Sequence, residues 1–428
     1  MANIFGRPLS RREFVKGAAT ASAASVLLRP EAVFAAGSET LNIALIGCGG
    51  RGAGAVEDCF RADPNVRLVA MADLFEDRLG QTLNWLRERH DATRIKVTPE
   101  TCFVGFDAYH KVCAMREVDI VLDASPPHFR PIHLKAAIEA GKHSFIEKPA
   151  AVDPAGVRSV IETAELAAQK GLSIVAGTQR RHQNLYLDVV KRLQDGQIGE
   201  ILSANCYWCG ADMLGYWKWY DREDMDDIQF QCRNWPWFTW TSGDHIVEQH
   251  VHNIDVVNWV LDAHPISAMA LGGRQARTLG NIYDHFTVEF EYPGNRRVTS
   301  MSRQINGCAD RIGEFFRGSD GTAILSMESG VLDGKRPYRF QGQGNDPMVQ
   351  EHKDLIEAIR SGSPVNHAKR IAESTMTAII GRMSAYTGRA IRWDWAMRAS
   401  TLDYTLPSYT FGDRPAEPVA IPGKTVLI

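Results

Sequence analysis

Glu248 and His252 have the residue types and the spacing for proton transfer. The pattern from Gly243 to Leu261 predicts one long helix, and residues at i and i+4 lie on the same face of a helix. There the carboxylate can orient the imidazole and stabilise its charged form, and an imidazole accepts a proton near neutral pH. The pair is therefore a candidate for general acid–base chemistry.

This helix also allows two other interpretations. Its polar residues form a stripe opposite its apolar face, and such a stripe can simply be solvated. His245 and His250 add imidazoles to His252 and Glu248, which is the chemistry of a metal site. Because no second ligand cluster with recognisable spacing accompanies them, we predict that the protein binds no metal.

Three glycines that follow a short apolar run have the spacing of a phosphate-binding loop. Gly47, Gly49 and Gly52 form G-x-G-x-x-G. In this motif the first glycine allows a tight turn, the second lets the backbone approach a pyrophosphate, and the third lets helix and strand pack closely. The N-terminus of the following helix offers free N–H groups to the phosphates. A glycine-rich turn without a ligand is the alternative.

Asp73 favours the dinucleotide interpretation of this loop. It ends a second apolar run, roughly 20 residues after Gly52. A carboxylate at that place can accept hydrogen bonds from the adenosine ribose, and it repels a 2′-phosphate. The sequence therefore predicts a site that takes NAD in preference to NADP.

These residues need a scaffold, and strands alternate with helices from Leu41 to about Ala176. After the first two strands, the predicted elements are a helix over 75–90, a strand over 119–124, a helix over 128–140, a strand over 143–147, a helix over 153–171 and a strand over 172–176. The alternation predicts an α/β fold that begins with a Rossmann domain, a doubly wound parallel sheet.

Beyond Gly177 the pattern changes. A helix over 183–195 leads into segments that mostly alternate apolar and polar residues, at 201–208, 266–272, 286–292, 297–304, 312–317 and 322–326. They predict a C-terminal α/β domain with a large, mainly antiparallel open sheet. Late amphipathic helices at 348–361 and 369–387 can pack back on the first domain, and an extended tail from Thr401 can clasp a neighbouring subunit.

A chain of 428 residues is longer than one hydrophobic core usually accommodates, so we expect two domains. The predicted division is a signal peptide at 1–35, an NAD(P)-binding Rossmann domain at 36–178, a substrate and oligomerisation domain at 179–395, and an extended tail at 396–428. The net charge of −3 argues against a nucleic-acid or anionic-membrane partner, because neither attracts a near-neutral surface.

The twin-arginine export signal is matched by the segment Ser10-Arg11-Arg12-Glu13-Phe14-Val15-Lys16. A weakly apolar run over 17–28 and small residues at 33–35 complete a cleavable signal peptide, and the run is shorter than the ~20 residues of a stable membrane anchor. We therefore predict a periplasmic or otherwise exported protein that engages the twin-arginine translocase. Because that route moves folded proteins, we expect the dinucleotide to cross tightly bound in its site.

Taken together, four segments resemble the glucose–fructose oxidoreductase / inositol dehydrogenase / rhizopine-catabolism (Gfo/Idh/MocA) family. In the family's order they are the Gly47–Gly52 loop, Glu147-Lys148-Pro149, Gly177-x-Gln179-Arg180-Arg181, and the helix ending at His252. The resemblance covers residues 41 to about 395 and implies an active site between the two domains. It also implies NAD(P)-dependent chemistry on a sugar, a polyol or a derivative, by a homo-oligomer (dimer or tetramer) whose open sheet makes oligomer contacts.

The resemblance further implies roles for single residues. Lys148 would lie beside the nicotinamide and polarise the reacting hydroxyl, and it joins His252 and Glu248, where the family more commonly has aspartate, as the catalytic set. The expected cofactor contacts are Gly47, Gly49, Gly50, Arg51, Gly52, Asp73, Arg78, Ser125, Pro126, His128, Glu147, Lys148 and Gln179. The expected substrate contacts are Arg180, Arg181, His182, Trp208, Trp235 and Trp237. Solvated turns are the alternative for Lys148 and for the two arginines.

Tryptophan is concentrated between Tyr207 and Trp240, where six of the ten tryptophans lie among acidic residues. Aromatic faces stack on the C–H faces of sugar rings, while carboxylates accept hydroxyl hydrogen bonds. A small satellite core or a subunit contact is an equal alternative, because tryptophan is also an interface residue.

The leading hypothesis is an exported oxidoreductase that oxidises a hydroxyl of a sugar, polyol or glycoside, with ring carbon 3 suggested by family analogy. The alternative is an NAD-dependent glycosidase, in which transient oxidation permits elimination with no net cofactor turnover. The helix that carries His252 does not resemble that of the family's N-acetylgalactosaminidases. A third hypothesis is a sugar-binding protein that keeps NAD as structure, and the presence of Lys148 and His252 argues against it.

Overall fold

The structure, a computed structural model, describes residues 39–428. The predicted signal peptide at 1–35 lies outside the described residues. Within them the chain builds two sheets, a parallel one followed by a mainly antiparallel one.

The first sheet is parallel. Its strands are β1 (Leu41–Ile46), β2 (Val66–Asp73), β3 (Cys102–Val104), β4 (Ile120–Asp123), β5 (His143–Ile146) and β6 (Ile174–Ala176). The connecting helices are α1 (Gly50–Ala62), α2 (Glu76–Arg87), α3 (Ala108–Ala114), α4 (Arg130–Glu139) and α5 (Pro154–Lys170). In space the strand order is β3-β2-β1-β4-β5-β6, so it reverses between β1 and β4. This order is that of a Rossmann sheet and confirms the predicted fold class.

The sequence pattern missed β3 and α3. The strand has three residues at the edge of the sheet and the helix has seven, so neither is long enough to show a clear period. The omission bears on the site, because Gly105 and Phe106 follow β3 at the carboxyl edge of the sheet and line a cavity there.

The second sheet is mainly antiparallel, as predicted. Its strands are β7 (Ile201–Gly210), β8 (Ser267–Gly273), β9 (His285–Tyr292), β10 (Arg296–Gln304), β11 (Arg311–Gly318), β12 (Gly321–Leu325), β13 (Gly330–Gly334), β14 (Tyr338–Arg339) and β15 (Ile391–Arg392). The spatial order is β14-β13-β12-β11-β7-β10-β9-β8-β15, and among these described strands only β7 and β10 pair in parallel. The pattern missed the last three strands: β14 and β15 have two residues each, too few to show an alternation, and β13 begins and ends with glycine.

The C-terminal part of the chain also contains helices. They are α6 (Asn184–Gln194), α7 (Asp227–Arg233), α8 (Thr239–Ser242), α9 (His245–Glu248), α10 (Val251–Leu261), α11 (Pro347–Arg360), α12 (Ala368–Thr387) and α13 (Trp393–Arg398). Helices α10 and α12 pack on the sheet, whereas α11 packs on α1 of the first domain. Leu355 and Ile359 of α11 share a buried cluster with Ile43 and Leu45.

The single helix predicted over 243–261 is wrong. The chain forms α9 and α10 instead, because the main-chain hydrogen bonds change register between them. The N–H of His250 donates to the carbonyl of His245 at 3.1 Å, and the N–H of His252 donates to the carbonyl of Gln249 at 3.2 Å. Glu248 and His252 therefore belong to different helices, and their i, i+4 relationship is lost.

The C-terminal tail packs on its own chain. Tyr404 and Leu406 are buried, the hydroxyl of Tyr409 lies 3.2 Å from Nε2 of His128, and the ring of Phe411 stacks on Phe75 with centroids 6.0 Å apart. The tail thus makes extensive contacts within its own chain, and its contact with another subunit stays a prediction. Over residues 39–428, none of the helices has both the length and the apolar character to cross a membrane.

Candidate active site

The glycine loop has the geometry that its spacing predicts. Gly47 follows β1 with φ +89°, a left-handed conformation that favours glycine, and a Cβ there would lie 2.6 Å from the main-chain nitrogen of Ser125. A Cβ on Gly52 would lie 2.0 Å from the carbonyl oxygen of Gly47. By contrast, a Cβ on Gly50 would meet nothing, and one on Gly49 would meet only Nη1 of Arg78, at 3.7 Å, which leaves the start of α1 accessible to a ligand. This cradle fits a pyrophosphate at a helix N-terminus.

Asp73 lies at the end of β2 and is tied to the glycine loop. Its carboxylate accepts hydrogen bonds from the N–H of Cys48 at 2.6 Å and from the N–H of Phe75 at 2.8 Å. Burial raises the pKa of this carboxyl, and the two N–H donors oppose that rise. A carboxylate has further lone pairs, so Asp73 can hold the loop and still accept a ribose hydroxyl.

A cavity lies along this edge of the sheet. Gly47, Gly49, Asp73, Arg78, Ser125 and Pro126 line it, as expected of cofactor contacts. Further walls, which the sequence did not indicate, come from Phe75, Phe106, Phe129, Cys232 and Trp235. The last two belong to the tryptophan-rich segment, so that segment closes over the predicted dinucleotide site.

Arg51 and Glu147, both expected at the cofactor, pair with each other. The Arg51 guanidinium lies 2.7 Å from Glu147 and 2.9 Å from Asp58. Glu147 is buried against Gly177, where a Cβ would lie 2.7 Å from a carboxylate oxygen. Because their charges neutralise each other, neither side chain offers a free charge to a dinucleotide. Gln179 opens a 3₁₀ turn (Gln179–His182) after β6.

His128, an expected cofactor contact, does not line this cavity. Its ring is buried between the first domain and the tail, with Trp240 at a centroid distance of 4.9 Å. Burial lowers the pKa of this imidazole to about 3. A neutral ring held by Trp240 and Tyr409 stabilises the packing of the tail.

Lys148 follows β5 at the carboxyl edge of the sheet and binds Glu248 twice. Its Nζ donates to the Oε1 carboxylate oxygen of Glu248 at 2.9 Å and to the main-chain oxygen of Glu248 at 2.9 Å. Both side chains are largely buried, with 15% and 7% of their surfaces exposed. The lysine is therefore not a solvated turn residue. The expected pairing of Glu248 with His252 is not found, since the carboxylate faces the ammonium group.

His252 is buried beside this ion pair. Its ring stacks on Trp208 with centroids 5.8 Å apart and an interplanar angle of 21°. Burial lowers its pKa well below the ordinary value, and the positive charges of Lys148 and Arg180 lower it further. The imidazole is thus held neutral, which is the form that accepts a proton.

The two alternative interpretations of this region do not fit the structure. The polar stripe is not solvated, because Asp244, Glu248, His252 and Asp255 are all buried. Over the described part of the chain, no group of three potential metal ligands is close enough to hold an ion. His245 lies within hydrogen-bond distance of Ser302 at 3.0 Å, and His250 binds Ser300 at 2.7 Å.

After β6, the side chains of Arg181 and His182 pair with carboxylates, whereas Arg180 does not. Arg181 forms a bidentate ion pair with Asp255 at 2.7 and 3.0 Å, and His182 binds Asp354. These ion pairs hold both side chains in place, while Nε2 of His182 has no hydrogen-bond partner among the described residues, so their contact with a substrate stays a prediction. Arg180 remains a candidate: it is buried, its guanidinium carbon lies 5.8 Å from the Trp208 ring centroid, and its Nε and Nη1 have no hydrogen-bond partner in the described structure.

The three tryptophans expected to contact a substrate have different surroundings. Trp208 faces the candidate site, and Trp235 lines the cofactor cavity instead of a substrate pocket. Trp237 is only 1% exposed and packs on Trp219 at 5.3 Å, so it has no free face for a sugar. Most of the segment forms the satellite core that was the alternative, in contact with Phe129 of the first domain and Tyr404 of the tail.

The sequence did not indicate Tyr216 and Gln249 as site residues. Gln249 directly follows Glu248, and its amide donates to the Tyr216 hydroxyl at 3.2 Å. Tyr216 comes from the loop after β7 and carries no motif. Only the position of Gln249 next to a candidate catalytic residue could have marked it.

Comparison with known proteins gives two family matches. A model described as "Oxidoreductase family, NAD-binding Rossmann fold" matches residues 41–176, and a "GFO/IDH/MocA C-terminal domain" model matches residues 186–324. The two models match adjoining parts of the chain, in the order of its two sheets, and together they span more than half of it.

Similar proteins include enzymes of two kinds. An inositol 2-dehydrogenase from Azotobacter vinelandii is 27% identical over 266 residues, which are 60% of this chain and 66%, just under two thirds, of the relative. Glycosyl hydrolase family 109 protein 3 from Phocaeicola vulgatus is 30% identical over 198 residues, 46% of this chain and 34% of the relative. The solved aldose-aldose oxidoreductase of Caulobacter crescentus has a TM-score of 0.65 at 16% identity and covers 83% of this chain and 100% of its own, a likeness of fold alone.

Proposed function

The chain belongs to the Gfo/Idh/MocA family of NAD-binding oxidoreductases, and on that premise we propose that it oxidises a hydroxyl of a sugar, polyol or glycoside by hydride transfer to NAD. One observation carries the proposal. The ammonium group of Lys148, whose side chain is 15% exposed, is anchored by Glu248 at the carboxyl edge of the Rossmann sheet, next to the neutral imidazole of His252. The glycine cradle lies at the same edge, after β1.

Each residue of the site would have its own role in this reaction. When bound, NAD supplies the hydride acceptor. His252 takes the proton of the substrate hydroxyl, and Lys148 donates a hydrogen bond to the same oxygen as negative charge develops there. Glu248 orients Lys148, and its Oε2, which is buried and unpartnered among the described residues, can accept a neighbouring hydroxyl. Trp208 gives the pocket an aromatic wall for a sugar ring.

We also propose that NAD is resident, bound before export and regenerated on the protein. The predicted twin-arginine leader motivates this, because little free nucleotide is available outside the cytoplasm. It is supported by contacts of Arg233 with Asp77 and Phe75, which we call the clasp. Arg233 of α7 binds the carboxylate of Asp77 at 2.6 and 2.8 Å and lies 3.7 Å from the ring centroid of Phe75, which lines the cofactor cavity.

The tail binds the helix α7, which carries Arg233. The N–H of Ile228 donates to the carbonyl of Gly412 at 3.1 Å, and the amide of Gln231 donates to the carbonyl of Arg414 at 2.6 Å. For the dinucleotide to leave, α7 and the tail would have to separate from the first domain. This arrangement favours slow exchange of the cofactor.

We propose a homo-oligomer, a dimer or tetramer, formed through the open face of the second sheet. Leu271, Thr287, Met301 and Tyr207 form one cross-strand row on the face opposite the helices. Leu271 is 74% exposed. An apolar row on an uncovered sheet is typical of an interface. Leu271→Glu should lower the mass measured by light scattering if this face is the contact.

The second candidate function is an NAD-dependent glycosidase. The similarity to a glycosyl hydrolase family 109 protein supports it, and so does a resident cofactor, since oxidation followed by elimination and re-reduction leaves NAD unchanged. The same residues would serve in both reactions, because each begins by removing a hydroxyl proton together with hydride.

One experiment separates these functions. Protein purified without added cofactor is incubated with free sugars, polyols and aryl glycosides, while absorbance at 340 nm and aglycone release are followed together. An absorbance change without release supports the dehydrogenase, and release without a net absorbance change supports the glycosidase. If neither occurs with any substrate, while the same panel binds, the proposal of an enzyme fails. His252→Asn serves as the inactive control.

A further inference from the structure

A second cavity, of about 260 Å³, lies in the C-terminal domain. Arg277, Asp212, Gln304 and Asn306 provide its polar lining, and Leu214 and Leu279 contribute apolar surface. These residues come from the loop after β7, the loop after β8 and the end of β10. None of them belongs to the glycine cradle or to the catalytic group.

Arg277 is the polar centre of this cavity. Its side chain is 2% exposed, and its Nη2 donates to Oε1 of Gln304 at 2.6 Å and lies 3.3 Å from the carboxylate of Asp212. Nε and Nη1 are buried with no hydrogen-bond partner within the described residues. Leaving the N–H groups of a charged side chain unsatisfied is costly, so a ligand oxygen in the cavity would be favoured.

The charges and surfaces of the cavity point to a neutral ligand rich in hydroxyl groups. Asp212 already balances the charge of Arg277, so the cavity offers no excess positive charge to an anion. Arg277 can donate to hydroxyl oxygens, Asp212 can accept from hydroxyl groups, and Leu214 with Leu279 can contact C–H groups. A sugar ring combines these properties.

One hydrogen bond links the cavity to the residue that follows Glu248. The amide of Gln304 donates to Oε1 of Gln249 at 2.5 Å, and Gln249 directly follows Glu248, the anchor of Lys148. We infer that this cavity is a second sugar subsite, which holds a neutral ring attached to the ring that is oxidised. The inference rests on the proposed function and makes it more specific, since the substrate would be a disaccharide or longer glycoside rather than a free monosaccharide.

The test compares matched sugars on the protein as purified, with its cofactor. Calorimetry measures the affinities for trehalose, maltose, cellobiose and glucose, and steady-state assays give kcat/KM for the same four. Arg277→Gln removes the donors. Leu214→Trp fills the cavity from a position that is 52% exposed, so it should not disturb folding. Leu187→Trp, at an exposed position on α6, is the control for an added indole ring.

We expect at least one disaccharide to bind about 10-fold more tightly than glucose. Both cavity variants should remove that advantage while leaving glucose binding within about twofold, and the control should change neither. The inference is overturned if no disaccharide binds better than glucose, or if the two variants weaken glucose and disaccharide equally. Because calorimetry does not depend on turnover, a protein that oxidises none of these sugars would refute the proposed oxidation without deciding the subsite.

Discussion

The Lys148 ammonium group donates a hydrogen bond to the main-chain carbonyl of Glu248, at 2.9 Å, and another to the carboxylate of the same residue. In an unbroken helix that carbonyl would accept the N–H of His252. Here the N–H of His252 donates to Gln249 instead. The ion pair and the break between α9 and α10 therefore occur together. Lys148 of the first domain binds Glu248 at the end of α9, and His252 lies on the separate helix α10.

Lys148→Met should abolish turnover and retain the cofactor. The change removes the charge that polarises the reacting oxygen, and such groups contribute about 10²- to 10⁴-fold to the rate. Glu248→Gln keeps a hydrogen-bond acceptor for Lys148 and should lose less, roughly tenfold. Steady-state rates, with the bound nucleotide quantified after acid extraction, check this. More than a tenth of the activity in Lys148→Met would contradict the role.

The pH profile should report the depressed pKa of His252. The neutral imidazole is the active form, and burial with the charges of Lys148 and Arg180 lowers its pKa well below the ordinary value. We therefore expect kcat/KM to stay level as the pH falls past about 6.5. In Arg180→Gln one positive neighbour is gone, the pKa rises, and the acid limb moves to higher pH. An acid limb that stays in place in the variant would exclude this electrostatic coupling.

Opening the clasp should release the cofactor. Arg233→Gln removes a bidentate ion pair and a cation–π contact, which together contribute about 1–2 kcal/mol, so dissociation should accelerate about 5- to 30-fold. Arg192→Gln is the matched control, since Arg192 also pairs with an aspartate and stacks on an aromatic ring, Tyr338, at 3.6 Å. The measurement is the loss of bound nucleotide during dilution and gel filtration. Equal losses from both variants would point to general destabilisation.

Asp73 should set the nucleotide that is purified with the protein. The wild-type chain is expected to carry NAD, because the carboxylate repels a 2′-phosphate. In Asp73→Asn the repulsion is gone, while one acceptor remains for the N–H groups of Cys48 and Phe75. Chromatography of the extracted nucleotide should show an increased NADP fraction. An unchanged ratio would mean that other residues, such as Arg78, determine the preference.

Glu314 should make stability depend on pH. Burial raises the pKa of this carboxyl to about 7, with the hydroxyl of Tyr186 donating to it at 2.9 Å. The folded state therefore holds the proton more tightly than the unfolded chain, and stability is lost as the pH rises from about 4.5 to about 7, by roughly 3 kcal/mol at most. Glu314→Gln cannot ionise, so its melting temperature relative to wild type should increase between pH 5 and pH 8. Calorimetry at both values tests this, with Glu165→Gln, at an exposed carboxylate, expected to show no such trend.

Features with a local cause were predictable. The glycine spacing, the acidic residue that ends β2 and the lysine that follows β5 all depend on a strand and the turn after it, and periodicity reveals both. The parallel sheet follows from the alternation of strands and helices. Short elements such as β3 were missed because three residues carry no period, and with them Phe106, which lines the cofactor cavity.

Partners distant in the chain were not predictable in the same way. The sequence placed Glu248 and His252 on one helix face, but Glu248 is paired with Lys148, and Arg181 with Asp255, by the packing of two domains. Trp237 and the tail residue Tyr404 look exposed in a segment without a period, yet both are buried in one satellite core.

The sequence by itself determined the scaffold and the types of its chemical groups, because strand, turn and helix propensities act over a few residues. Only the tertiary structure decided which of those groups are free. A buried charge must find an opposite charge or a hydrogen bond wherever the fold brings one. Arg51, Arg181 and His182 each pair with a carboxylate of the protein. Two nitrogens of Arg180 and the second carboxylate oxygen of Glu248 have no such partner among the described residues, so they are available to hydrogen-bond a hydroxylated substrate.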